Sequence, residues 1–198
     1  MTKNTQKIPK IEVIRSKTED LPEFLKFADF EKIDYHQNDS KIDVKNFIIK
    51  DSREKCGWDF IKGEYISGME IQGLKTGDYT IKGFEKDFVI ERKGSTSEIA
   101  QNIFQERFEK ELIRLEKFKY PYLICVFDFD DLINFPINSG IPPNLWKKVK
   151  TTGKYLVSAF MRYQVVYKTK FILAGSHGME IAESLFKMIT RHGVNYGK

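Results

Sequence analysis

The sequence predicts an α/β protein with a mixed central sheet flanked by helices, and three observations lead there. Short apolar runs of strand length recur over 46–93, a stripe of apolar residues at helical spacing follows, and a continuous apolar run then occupies 122–127. Strand-length runs on both sides of an amphipathic helix are the pattern of a sheet covered by helices. With 198 residues and 41% hydrophobic content, the chain can bury one sizeable core but not two. The expected organisation is an N-terminal extension over 1–40 and a single domain over 41–198.

In the extension, Pro9, Pro22, Asp39 and Ser40 interrupt any long periodicity, leaving one short helix near 21–30. A strand is expected over 46–50, followed by an irregular stretch through Gly57-Trp58-Asp59-Phe60 toward Tyr65. Strands over 69–74 and 79–84, joined by Lys75-Thr76-Gly77-Asp78, and a third over 88–93 then form a meander. Gly94-Ser95-Thr96-Ser97 is a natural helix start. Ala100, Phe104, Phe108, Leu112 and Leu115 recur on one face of a single long helix reaching about 118, with Glu106–Lys110 and Arg107–Glu111 as pairs on its outer side. Pro121 stops that helix, and 122–127 is a buried central strand. Asp128-Phe129-Asp130-Asp131 is a strand-end loop or helix cap in preference to an extra metal site. A loop over 134–143, with Pro136, Gly140 and Pro142-Pro143, has the length to move over a groove. Helical pieces over 145–150 and 154–163, a strand over 171–174 and a last helix over 179–190 complete the chain.

Charge is unevenly distributed. Residues 141–198 hold ten Lys/Arg against two Glu, a local +8 within a net charge of +5, so 1–140 carries −3. An acidic half suits cations and a basic half suits a polyanion, with Lys147, Lys148, Lys150, Lys154 and Arg162 as candidate phosphate contacts. The two cysteines, Cys56 and Cys125, cannot build a zinc cluster, and Cys125 is a reduced core thiol. The apolar runs are too short to span a membrane and the start Met1-Thr2-Lys3-Asn4 is polar, so a cytoplasmic protein is expected. His36, His177 and His192 have no partner spacing and receive no role. Gly175-Ser176-His177-Gly178 is a strand-to-helix connection before it is a phosphate cradle, and Trp58, Phe60 and Tyr65 are core before they are base-stacking rings.

The most informative run is Phe88-Val89-Ile90-Glu91-Arg92-Lys93-Gly94, whose Glu91 lies thirteen residues beyond Asp78. Side chains alternate along a strand, so Glu91 and Lys93 share a face and Arg92 takes the other, while Asp78 can meet Glu91 from a neighbouring strand. Ile48-Ile49-Lys50-Asp51-Ser52-Arg53-Glu54 supplies a second polar strand end.

Together these blocks, D-x-R-E, then G-D, then E-R-K, resemble the nuclease domain of the XPF-type structure-specific endonucleases, a branch of the PD-(D/E)XK superfamily, over residues 46–128. The family's acidic residue six positions after the Glu of E-R-K is replaced by Ser97. A one-residue insertion brings Glu98 onto that position and Arg107 onto a family arginine. The resemblance implies a restriction-endonuclease-like core and a magnesium- or manganese-dependent endodeoxyribonuclease with no nucleotide cofactor. Asp78, Glu91 and Asp51 would hold the metal, joined by the Arg92 backbone carbonyl, since hard oxygens without His or Cys favour these ions over zinc. Lys93 would orient or help deprotonate the attacking water, its pKa lowered by the cation. Glu54 and Glu98 would support the ligands, and Arg53, Arg92 and Arg107 would hold phosphates or brace carboxylates. Branched DNA is the implied substrate, in repair, recombination or phage genome processing within a bacterial or phage-infected cell, alone, as a homodimer or with a partner protein. A junction-resolving or restriction-like nuclease, or a DNA-binding scaffold that no longer cuts, are the alternatives.

Overall fold

The computed structural model describes residues 46–63 and 65–193; the helix expected near 21–30 lies outside them. The elements are β1 (Asn46–Asp51), β2 (Ile66–Gln72), β3 (Tyr79–Ile81), β4 (Phe88–Lys93), α1 (Thr96–Asn102), α2 (Glu106–Leu115), β5 (Tyr120–Cys125), α3 (Phe129–Ile133), α4 (Gly153–Val166), β6 (Lys170–Leu173) and α5 (Gly178–Gly193). Short 3-10 turns at Pro143–Lys148 and Gly175–His177 lead into α4 and α5.

The strands form one sheet in the order β2-β1-β3-β4-β5-β6. β1 pairs parallel with β2 and antiparallel with β3, β3 is antiparallel to β4, and β4, β5 and β6 run parallel. The expected meander is therefore corrected. β2 does not pair with β3; it lies on the far side of β1, because the 52–65 connection carries the chain back to start a parallel strand.

The apolar runs of β4 and β5 are buried on both faces by alternation. Val89 and Leu123 face one core with Phe108, Leu112, Leu115, Leu156 and Phe160 of α2 and α4. Phe88, Ile90 and Ile124 face the other with Phe60, Ala182 and Phe186. This parity also sends Glu91 and Lys93 toward α2 and Arg92 toward the Trp58 side.

The single long helix is a second correction. The chain breaks between Asn102 and Glu106, with Gln105 in extended conformation as the N-terminal flank of α2. Ala100, Phe108, Leu112 and Leu115 stay buried while Phe104, in the break, is 62% exposed. The helical stretch also ends at Leu115, well before Pro121, which lies inside β5. Tyr120 N–H points to Asp87 O on the β4 side, and β6 pairing begins only at Tyr122, so the proline removes no ladder donor. Asp128 and Asp131 form a reciprocal capping box at the start of α3, the helix-cap use expected of that acidic run. No helix among the described residues is long and apolar enough to cross a membrane.

Candidate active site

The site is assembled at the ends of β1 and β4 and the turn before β3. Gly77 takes φ +78°, and a Cβ there would collide with Val89 and approach the Ile90 carbonyl, so the turn packs against β4 without a side chain. Asp78 follows directly. Its backbone N–H donates to Ile90 O at 2.8 Å and its carbonyl accepts Asp51 N–H at 2.7 Å, so the residue is pinned between β4 and β1. Its carboxylate accepts the Arg92 backbone N–H at 2.7 Å, which sets it beside the Glu91–Arg92 peptide.

On the α2 face of β4, Lys93 Nζ donates to Glu91 Oε1 and to Glu111 Oε1, each at 2.7 Å, with Glu98 Oε1 at 3.6 Å. The lysine side chain is 4% exposed and both glutamates 12%. Lys93 also sits 5.6 Å from the centroid of the Phe108 ring. The expectation that Glu111 lies on the outer side of a helix, paired with Arg107, is corrected: it points inward. A signal existed, since Phe108, Glu111, Leu112 and Leu115 stand at helical spacing, placing an acid within the apolar arc.

Electrostatics follow from burial. Lost solvation, reinforced by Glu54 and Glu111 and opposed by the Arg92 N–H and Lys93, pushes the Asp78 carboxyl up to about 7. Burial also raises Glu91 well above the usual carboxylate range, against the pull of Lys93 and with added repulsion from Asp78 and Glu111. For Lys93 burial works downward, but the two glutamates overcome it and hold the ammonium above the ordinary lysine value.

Arg92, on the opposite face, reaches Glu54 Oε1 at 3.4 Å and lies over the Trp58 ring at 5.5 Å. Trp58 in turn stacks on Tyr79 at 5.3 Å, and the Tyr79 hydroxyl accepts Trp58 N–H. Trp58 and the buried Phe60 are thus packing groups, as expected, whereas the core position expected for Tyr65 is corrected: its ring is exposed, with the Lys187 amine over it at 4.2 Å. Asp51 is buried and uses both carboxylate oxygens, one on Leu74 N–H at 3.0 Å and one on Arg53 Nε at 2.7 Å. Arg53 also donates to Leu74 O at 2.6 Å, so the pair fixes the chain that leads from β2 to Asp78.

Two adjoining clefts open here. One, of about 310 Å³, is walled by Glu54, Asp78, Glu91, Lys93, Glu98 and Arg107 among others. A smaller one of about 170 Å³ is lined by Asp51 and Arg53 together with Asp78, Glu91, Arg107 and Arg114. Glu98 accepts Gly94 N–H at 2.8 Å, which turns it inward from the start of α1. Every residue taken from the three blocks therefore borders one continuous site, together with Glu98 and Arg107. Lys147, Lys148, Lys150, Lys154 and Arg162 do not line the clefts; they are exposed on the 3-10 turn, its exit and α4. Sequence reasoning missed Glu111 and Arg114 as well as Asn102 and Gln105, which also line the larger cleft.

Among the described residues no three His, Cys, Asp or Glu side chains form a ready metal cluster. The donor set nevertheless fits a hard divalent cation that keeps most of its water. Asp78 and Glu91 share one polar cleft, both are raised chiefly by burial with added repulsion from neighbouring carboxylates, and a cation between them would relieve both.

No protein-family model matches the sequence, and no curated protein matches it. Among solved structures, the chain is similar to XPF from Aeropyrum pernix with a TM-score of 0.50 and 19% identity, over 73% of this chain and 65% of that one. It is also similar to XPF from Aeropyrum pernix in complex with DNA, with a TM-score of 0.53 and 15% identity, over 75% of this chain and 66% of that one. The chain spans slightly under two thirds of those structures. The likeness establishes the XPF-type α/β fold that the sequence blocks implied.

Proposed function

We propose that this chain is a DNA nuclease that hydrolyses phosphodiester bonds at the cleft between β3, β4 and α2. The observation that carries the reading is the convergence of Asp78, Glu91 and Lys93, from separate sequence blocks, on one polar cleft within an XPF-type fold. One solved structure with that fold holds DNA.

Asp78 and Glu91 would hold magnesium or manganese, which supplies charge neutralisation at the scissile phosphate and a polarised water. Around it the chain's own residues have separable tasks. Lys93, its protons shared between two glutamates, acts as a hydrogen-bond donor that orients the water or a phosphate oxygen, and not as the base. Arg92 holds Glu54 in place, and the Asp51–Arg53 pair holds the loop that delivers Asp78. Arg107 and Arg114, exposed at the smaller cleft, would meet flanking phosphates. Branched DNA, such as flaps, forks or junctions, is the substrate class that the XPF likeness favours, which would place the reaction in repair, recombination or phage genome processing.

The test is cleavage of end-labelled flap, fork, four-way junction, single-stranded and linear duplex DNA with magnesium or manganese, for the wild type, Asp78→Ala and Lys93→Ala. The proposal expects cutting by the wild type and a loss of about a hundredfold or more in each variant, with binding in calcium retained. Wild-type binding without cutting under either metal would instead make the chain a scaffold.

A further inference from the structure

Phe104 and Tyr155 form an exposed aromatic pair used by neither the core nor the cleft. Their rings are within 7° of parallel with centroids 5.5 Å apart, yet Phe104 is 62% exposed and Tyr155 49%. Leaving two large rings in water forfeits apolar burial, so a pair held flat against each other invites a third flat group. Both rings stand on anchored backbone. Phe104 lies in the break between α1 and α2, and Tyr163 of α4 meets that break through Ile103 O at 3.5 Å while packing edge-on against Phe108 at 5.4 Å.

Two surroundings identify the occupant. Asn102 and Gln105, on either side of Phe104, wall the larger cleft, so the pair sits where a strand would enter or leave it. Tyr155 follows Lys147, Lys148, Lys150 and Lys154 in a stretch, 141–166, that contains five cationic residues and no acidic one, all five exposed. Exposed cations in the same segment as an exposed π-face suit a polyanion that presents flat rings, which is single-stranded DNA; a duplex offers phosphates but no free base face.

We infer that the Phe104–Tyr155 pair is a stacking platform for an unpaired nucleobase of the strand that enters the Asp78–Glu91 cleft, an inference that rests on the nuclease reading above. The platform would favour substrates with unpaired bases next to the cut and would disregard base identity, because every base has a π-face.

The test compares the wild type, Phe104→Ala/Tyr155→Ala and Phe104→Tyr in calcium, on a short single strand carrying the fluorescent analogue aminopurine and on a blunt duplex of equal length. The alanine pair should lose about 5- to 100-fold in single-strand affinity with duplex affinity kept. The wild type and Phe104→Tyr, but not the alanine pair, should quench the analogue. Equal single-strand affinity in the wild type and the alanine pair, or equal losses on both DNAs, would overturn the platform while leaving the nuclease reading standing. A wild type that is dimeric and becomes monomeric with the alanine substitutions would also overturn it, making the pair a contact between copies. Absence of wild-type binding to any DNA would remove the nuclease reading itself, and the platform with it.

Discussion

Lys93 and the lysines of 141–166 carry the same charge in opposite surroundings. Lys93 is 4% exposed and held at 2.7 Å by each of two glutamates, whereas Lys147, Lys148, Lys150 and Lys154 lie in water on a segment without a single acid. Dehydrating an ammonium is costly and is tolerated only with well-placed counter-charges, while a solvated one costs almost nothing. The buried cluster thus fixes geometry at one point, and the exposed segment creates a field that tolerates loss of any one member. Substitutions in the two regions should differ in size and in kind.

The largest effect is expected from Lys93→Met. It leaves Glu91 and Glu111 facing each other with no cation between them, and breaking a buried pair in this way costs about 3–5 kcal/mol. Urea unfolding at neutral pH should show that loss, and adding Glu111→Gln should recover part of it by removing one of the two opposed carboxylates. If Lys93→Met unfolds at the wild-type urea concentration, the cluster is not a tightly coupled unit.

Asp78→Asn should do the reverse in the absence of divalent metal. In the fold Asp78 keeps its proton up to about 7, against 3.8 for an ordinary carboxyl, so between those values the folded state binds more protons than the unfolded chain. Stability therefore falls as pH rises through that window, by at most about 1.4 kcal/mol per pH unit, and Glu91 acts in the same direction. Melting in a chelator should find the variant more stable than the wild type at about pH 8.5 and level with it near pH 4. Magnesium should then raise the wild-type melting temperature and leave the variant's unchanged, since an ion that binds only the folded state stabilises it by mass action. A variant that melts below the wild type at the higher pH would show that the Asp78 charge is already compensated.

The same contrast explains how much of the molecule was legible in its sequence. Period-two alternation sufficed to place Glu91 and Lys93 together and Arg92 apart, because it is a property of one strand. Apolar runs likewise located β1, β4 and β5 to within a few residues. The partner of each strand was not legible: β2 lies beside β1 because of a crossover through 52–65, and nothing local distinguishes that from a hairpin to β3. The break that exposes Phe104 is illegible for a similar reason, since the apolar spacing continues across it and the extended backbone at Gln105 appears only in the folded chain. Four-residue spacing on one helix pairs Glu111 with Arg107 at the surface. Its true partner, Lys93, is eighteen residues away and belongs to another element.

The smallest effect per residue is expected on the basic segment, where the comparison becomes sharpest. Each of Lys147→Ala, Lys148→Ala, Lys150→Ala and Lys154→Ala should leave stability within about 0.5 kcal/mol of the wild type, because none is buried or part of an ion pair shown in the structure. Arg162 differs only slightly, since its 3.9 Å approach to Glu109 is between exposed groups that water screens. DNA affinity, measured in calcium over a range of salt, should fall modestly for each lysine and by the same factor on every sequence. The slope of log affinity against log salt should flatten by about 0.9 for each duplex phosphate no longer neutralised, or about 0.7 on a single strand. The quadruple variant should accumulate those changes nearly additively, as independent solvated charges do, whereas substitutions at Lys93 and Glu111 should be strongly non-additive. If the quadruple variant keeps the wild-type salt slope, the basic segment does not touch DNA, and cations elsewhere, with Arg107 and Arg114 at the cleft the first to substitute, carry the phosphate contacts.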